Sequence, residues 1–403
     1  MRFSKFAALS LFSSVLMMFS SCTKRNVVES ITEDELFTIS YGNFEEQMNI
    51  FSLNEIGNIQ TGLFMQDGFF YIVNGESQKV MELNSYGNLL TLYYNEDSHT
   101  KELIDSFENE ELSVHKEISY PFGYTGQLAV DSDKCMYIVC TIPRDRQELS
   151  PDGTTLYSQT ILRVPRDGSQ IDYIGQQGPG GTPFPYIRNI FTNEKNEFVA
   201  VCSVNDGMMV YWFGNDGFLK SMISVNAEDA PRVSGIDEDS SVFLTVENVI
   251  PDFNEYKLYV KIDNYSSYSD KASKAQAGIS YINTLLYPLD ISSGVYGNPV
   301  SVPPYEESVT VDYSRLVYKI PYDFLGVTKS GWKFFVISTT TGFDVEMINS
   351  ENQKVLHRHF DVNKSNVLFH NMSLSSDGII SALYADENNA RVVWYRTDKL
   401  IDN

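Results

Sequence analysis

Gly62-Leu-Phe-Met65, Gln66-Asp-Gly68, Phe69-Phe-Tyr-Ile-Val73, Asn74-Gly-Glu-Ser77, Lys79-Val-Met-Glu-Leu83, Asn84-Ser-Tyr-Gly87 and Leu89-Leu-Thr-Leu-Tyr93 read, in order, as four apolar strands parted by polar turns. Asp67-Gly68 between two apolar runs is a hairpin signal, because a two-residue turn of this kind needs positive φ at its central positions. The same order returns twice. Gln127 to Lys134, Met136 to Val139, Ile161 to Val164, Arg166-Asp-Gly168 and Ile171 to Ile174 form a second copy. Asn189 to Phe191, Phe198 to Val201, Met209 to Phe213, Asn215-Asp-Gly217 and Phe218 to Ile223 form a third.

Weaker copies follow at Ser234 to Val246, Gly326 to Ile348 and Phe369 to Tyr395. A lone four-stranded sheet buries neither face, so repeated four-strand units of about 45 to 65 residues imply blades that stack on one another. The expected fold class is all-β: a six-bladed β-propeller with four-stranded antiparallel blades. Seven blades are the alternative if residues 251 to 316 hide another unit, and five is a further count. The strand-like segment Leu36 to Leu53 lies outside the six units and is expected to pair with Arg391 to Tyr395. That pairing would close the ring and remove exposed sheet edges.

Two stretches carry a family resemblance. Ile174-Gly-Gln-Gln-Gly-Pro-Gly-Gly-Thr-Pro-Phe-Pro185 is similar to the Gly-rich connection between NHL repeats, and Ala129-Val-Asp-Ser-Asp-Lys-Cys-Met-Tyr-Ile138 follows their AVD-x-x-G-x-Y-V pattern. The chain thus resembles a degenerate NHL-like propeller. The resemblance implies the fold and no particular activity.

The N-terminus reads differently. Arg2 and Lys5 precede an apolar run from Phe6 to Phe19, and Phe19-Ser-Ser-Cys22 ends it. This resembles the signal and lipobox of bacterial lipoproteins, with Phe19 where the pattern favours Leu. The resemblance implies removal of residues 1–21, lipidation of Cys22 and export to a bacterial membrane, on the periplasmic face, the outer membrane or the cell surface. Residues 22–35 would be a tether and 36–403 the propeller, with insertions at 95–124, 143–158 and 264–304. No other segment offers the roughly 18 consecutive apolar residues of a spanning helix.

The full chain carries 30 Lys and Arg against 53 Asp and Glu. Residues 1–21 take two cations, so the remainder is at 28 − 53 = −25. Such a field opposes nucleic acid and anionic headgroups, so no nucleic-acid partner is expected and the lipid is the membrane contact. Beyond Cys22 the cysteines are Cys135, Cys140 and Cys202, an odd number without metal-like spacing. Cys140 and Cys202 occupy equivalent positions in successive second strands and are expected as buried free thiols.

Residues bearing chemistry are sparse. The histidines are His99, His115, His357, His359 and His370. His357 and His359 share one face if they lie on a strand, and with His370 they make a weak candidate for a three-histidine metal site. No HExxH, HxE or CxxC accompanies these three, and the plainer reading is a polar outer strand. No GxSxG occurs, Gly178 to Gly181 lacks the lysine and helix of a phosphate loop, and the acidic groups Glu108 to Glu111 and Asp237 to Asp239 lack the ladder of a calcium loop. A helix is expected near Glu102 to Glu111.

Aromatic residues, 25 Tyr and 25 Phe, should mostly fill the spaces between blades. Tyr157, Tyr186, Tyr281 and Tyr287 fall near the long connections, as do Arg144 and Arg146, and these six are the candidate binding face. The expectation is a non-enzymatic, membrane-anchored propeller that binds a protein partner in the cell envelope and needs no cofactor. A metal-dependent propeller hydrolase or lyase and a glycan-binding module are the alternatives.

Overall fold

In the computed structural model, residues 28–50, 61–97, 115–121, 123–168, 170–233, 241–269, 276–311 and 314–401 are described. The Asp67-Gly68 turn forms with φ of 52° and 77° and joins Thr61–Gln66 to Phe69–Asn74. Lys79–Leu83 and Leu89–Tyr94 complete blade 1. Blades 2 and 3 repeat the order, as Thr125–Val130, Met136–Thr141, Gln159–Val164 and Asp172–Gly175, and as Ile187–Thr192, Phe198–Val204, Gly207–Phe213 and Leu219–Asn226.

Blade 4 comprises Ser241–Pro251, Lys257–Ser269, Gln276–Asp290 and an outer strand broken into Val295–Tyr296 and Val300–Val302. Blade 5 comprises Asp323–Val327, Lys333–Ser338, Gly342–Asn349 and Lys354–Asp361. Blade 6 has Phe369–Leu374, Ile380–Ala385 and Asn389–Tyr395, with Asp34–Ser40 as its fourth strand. The fold is a six-bladed β-propeller closed by an N-terminal strand, as expected.

In blades 2 and 3 the first turn is built by one side chain that accepts amides two and four residues on. Asp131 Oδ1 takes the N–H groups of Asp133 and Cys135 at 3.0 and 2.9 Å. Asn193 Oδ1 takes those of Lys195 and Glu197 at 2.9 and 3.0 Å. Lys134 and Asn196 then sit in the left-handed region, at φ of 62° and 56°. The acceptor thus satisfies the turn's backbone and fixes the register of the hairpin behind it.

Between blades, alternate strand residues meet their neighbours. Phe198 stacks on Phe213 at 4.4 Å and on Tyr137 of blade 2 at 4.6 Å. Cys140 packs into the core between blades 1 and 2, and Cys202 into the core between blades 2 and 3. Equivalent positions face the preceding blade, so the two thiols never face each other. Both are buried and free, and burial pushes each thiol up from its ordinary value.

The closing strand pairs Asp34 with Trp394 through Ser40 with Asn389. Tyr41 Oη donates to the carbonyls of Asp386 and Asn389 at 2.7 and 2.8 Å, and Arg391 pairs with Glu33. Several details differ from the expectation. Within the 22–35 tether, Glu29–Ile31 adds a parallel fifth strand to blade 5, against Arg358–Phe360. Lys116–Ser119 does the same for blade 1 against Thr91–Tyr94.

The stretch 264–304 is mostly blade strand rather than an insertion: Lys257–Ser269 and Gln276–Asp290 pair over nearly their full lengths, with register shifts at Asn264/Tyr265 and Tyr268/Ser269. Residues 251 to 316 hold no seventh blade among the described residues. They end blade 4 and begin a hairpin, Tyr305–Val311 with Ser314–Ile320, that leads into blade 5. Ser/Tyr-rich composition disguised long strands as a loop. The helix expected near Glu102 to Glu111 lies outside the described residues.

Candidate active site on blade 5

The axis is lined by the innermost strands. It holds a cavity of about 290 Å³ whose wall includes Leu63, Leu128, Asn189, Ile250, Phe324 and Asn371. Among the described residues, no histidine, cysteine or carboxylate lines it. The amide of Asn371 is turned to structure, its Oδ1 accepting the Leu63 N–H at 2.9 Å. Its described wall is made of alkyl, aromatic, amide and hydroxyl groups, without an acid or a base.

Acid and base groups converge instead on the outer half of blade 5. Asp344 and Glu346 alternate with apolar residues on the third strand, and His357 and His359 on the fourth, so all four share one face. The register sets Asp344 opposite His359 and Glu346 opposite His357. Asp344 accepts from both imidazoles: Oδ2 lies 3.3 Å from His357 Nε2, and Oδ1 is bonded to His359 Nδ1. The second nitrogen of His359 faces Thr341 Oγ1 and Asp361 Oδ1, each at 3.3 Å. Tyr322 is buried beside the cluster and its charge environment includes Glu346 and Asp344.

The electrostatics split the two carboxylates. Burial works against the charge of Asp344, yet the hydrogen bonds from His357 and His359 outweigh it and hold the carboxyl below its ordinary range. Glu346 is 5% exposed and has no such donor; burial, helped by the charge of Asp344, pushes it up to about 7. The hydrogen bond to Asp344 raises His357, whose side chain is 36% exposed and forms the solvent-facing edge of the cluster. One carboxylate is fixed as an anion while its neighbour changes protonation near neutrality, an arrangement suited to acid and base roles in one site.

The residues singled out by sequence fall in separate places. His357 and His359 are brought together as their spacing suggested, but by a carboxylate between them. His370 is not: it lies on the inner strand of blade 6, its ring 4.9 Å from Phe343, and burial lowers its pKa. Arg144 and Arg146 are exposed in a short 3-10 turn at the outer end of blade 2. Tyr157 pairs with Glu148 in the small hairpin that follows, and Tyr186 is 59% exposed just before blade 3.

Tyr281 packs on Tyr265 and donates to Thr284 Oγ1 at 3.0 Å. Tyr287 leaves the candidate binding face altogether. It is buried in the core between blades 3 and 4, edge-on to Tyr296 at 6.0 Å, because the strand that carries it turns that position toward blade 3. Cys22, His99, Glu108 to Glu111 and Asp237 to Asp239 lie outside the described residues.

Asp344 and Glu346 were missed. The signal was an i, i+2 carboxylate pair two strand positions wide, followed by an i, i+2 histidine pair one hairpin later. A second grouping, of Glu45, His115 and Glu117, was missed as well, although His115-Lys-Glu117 is itself an HxE spacing.

No protein-family model matches the chain, and no curated protein does. Among solved structures, a gluconolactonase from Xanthomonas campestris is similar over 83% of this chain and 85% of its own, at 12% identity and a TM-score of 0.38. An ulvan lyase bound to a glucuronate–sulfated rhamnose unit is similar over 90% of this chain and 83% of its own, at 10% identity and a TM-score of 0.40. A further polysaccharide lyase covers 91% of this chain and 99% of its own, at 8% identity and a TM-score of 0.39. These similar chains are enzymes by name, and the expectation of a non-enzymatic scaffold is corrected on that finding. Likeness at this level concerns the fold, so any activity has to be argued from the side chains of this chain.

Proposed function

We propose that this propeller is a hydrolase or lyase whose proton transfers are carried out on blade 5. The observation that carries the reading is Glu346, a buried carboxyl poised at about 7, set opposite the half-exposed His357. In this reading Glu346 and His357 exchange protons with substrate as acid and base. Asp344 is a positioning residue that orients both imidazoles and stabilises the cationic form of His357. The axial cavity, whose described lining lacks acid and base groups, is not the seat of the chemistry. A net charge of −23 opposes polyanions, so neutral esters, lactones and glycosides fit this field better than charged polymers.

The test is turnover by the purified chain on a panel of lactones, glycosides and uronate polysaccharides, with Glu346→Gln and His357→Ala beside it. Loss of an acid–base group typically costs about 10²–10⁴ in rate. A fall of that order in both variants, with KM little changed, supports the assignment. Turnover that survives both substitutions, or none by the native chain on any substrate, sinks it.

The location belongs to the same proposal: a lipid on Cys22 would hold this enzyme at a bacterial membrane, an NHL-like propeller facing the envelope, where a protein partner could dock at Arg144, Arg146, Tyr157 and Tyr186. Metabolic labelling with a fatty acid that fails in the native chain, or persists in Cys22→Ala, counts against the anchor.

A further inference from the structure

A second cluster lies at the outer edge of blade 1, on the side that faces blade 6. After the closing strand the chain turns at Gly42. Met48 N–H then donates back to Ser40 O at 3.0 Å, and Met48 and Ile50 enter the core between the two blades. Lys79 Nζ donates to Phe44 O at 2.7 Å and pins the loop from within. Glu45 is thereby held against the added parallel strand, where Glu117 pairs with Leu92 and His115 precedes it by two positions, on the same face.

His115 Nε2 lies 3.1 Å from Glu45 Oε2 and 3.4 Å from Glu117 Oε1. Its side chain is only 9% exposed, and Nε2 is buried without a hydrogen-bond partner. The two oxygens are therefore close in distance but wrong in direction for a ring N–H. This is costly for a buried nitrogen unless something else takes its lone pair. A cation between the three atoms removes the difficulty.

Zinc binds imidazole nitrogen and carboxylate oxygen at about 2.0–2.2 Å, so ligand atoms on a tetrahedron stand roughly 3.3–3.5 Å apart. The 3.4 Å separation matches such an edge and the 3.1 Å one falls just short of it, and all three atoms lie within 4.8 Å of one another.

We infer that Glu45, His115 and Glu117 form a binding site for a divalent first-row cation of the zinc type, with the fourth position left to water or a further ligand. The site clips the loop between blades 6 and 1 to the outer strand of blade 1, across the join where the ring closes. It involves none of the blade 5 residues and stands apart from the catalytic proposal.

The experiment strips the full-length chain in detergent with a chelator and titrates zinc, reading stoichiometry by elemental analysis and geometry from the absorption of the cobalt form. The expected result is one equivalent of zinc, a tetrahedral cobalt spectrum and a higher melting temperature with metal. His115→Ala and Glu117→Gln should each weaken binding by at least ~100-fold, since loss of even an outer-shell partner costs about 10–100-fold. His357→Ala should bind as the native chain does. If His115→Ala does not fold, Glu117→Gln alone decides, because its side chain is partly exposed and its shape is kept. No zinc at ~10 µM, or equal binding by native chain and Glu117→Gln, overturns the site, and loss of binding in His357→Ala would move it to blade 5.

Discussion

Among the described residues, blades 1 and 5 are the two that gain a parallel fifth strand, and each carries imidazole and carboxylate groups at its outer edge. The ingredients are alike, but the bonding is not. On blade 5 the imidazoles of His357 and His359 are both hydrogen-bonded to Asp344, so protons already occupy the space between nitrogen and oxygen. On blade 1 the buried nitrogen of His115 has two oxygens nearby and hydrogen-bonds to neither. The comparison teaches that residue type does not separate a proton-transfer site from a metal site. The direction in which the nitrogen finds its oxygen does, and strand register decides that direction.

The largest test of the contrast is the pH dependence of stability. Glu346 is raised from 4.5 to about 7 in the folded chain, so between these values the native state holds a proton that the unfolded state has released. Stability therefore falls as pH rises through that window, and the raised pKa of His357 adds in the same direction, the pair titrating together. Asp344 acts oppositely: its lowered pKa gives stability that is lost only as pH falls below the ordinary carboxylate range.

The expected loss between about pH 4.5 and pH 8 is on the order of 3 kcal/mol, at 1.36 kcal/mol per pKa unit. Glu346→Gln should flatten the slope and melt higher than the native chain at pH 8. Glu117→Gln, on the other blade, should leave the slope as it is. A native chain whose stability rises through neutrality would remove the basis for the assignment of Glu346.

Next in size is Asp344→Asn. The variant keeps the shape but withdraws the charge that two imidazoles share, and a compromised buried hydrogen bond of this kind costs about 1–3 kcal/mol. The His357 pKa, followed by NMR of its ring proton, should drop toward or below its ordinary value, while metal uptake at blade 1 stays native. An unmoved His357 titration would mean that Asp344 only fills space.

The sequence made the ring legible and the sites much less so. Asp67-Gly68, Asp131 and Asn193 act within four residues of themselves, so the hairpins they build could be read locally, and copies of the hairpin counted. The strands of blade 4 were harder: from Lys257 to Asp290 the sequence is rich in Ser, Tyr and Lys, a composition that hides their long pairing. Tyr287 looked accessible because it falls in the stretch read as an insertion, but the pleat turns it to blade 3.

The blade 5 cluster was half visible, since His357 and His359 are two apart. Glu45 and His115 are joined by the closure of the ring, which places a loop from the N-terminus against a strand seventy positions later, and no local pattern reports that.

The smallest effect separates the fifth strand from the cluster beside it. Arg358 adjoins His357 and binds Glu29 of the added strand at 3.0 Å, and its positive charge slightly lowers the His357 pKa. Glu29 is mostly exposed, so water and salt screen this pair, and exposed ion pairs contribute at most about 1 kcal/mol. Glu29→Gln should therefore destabilise the chain by less than that and leave the rate on blade 5 within about twofold, since RT is only about 0.6 kcal/mol and a weak, screened charge acts at second hand. A tenfold loss of rate would show that the parallel strand positions His357 through Arg358. In that case the fifth strands would be parts of their sites, and the likeness between blades 1 and 5 would extend from composition to construction.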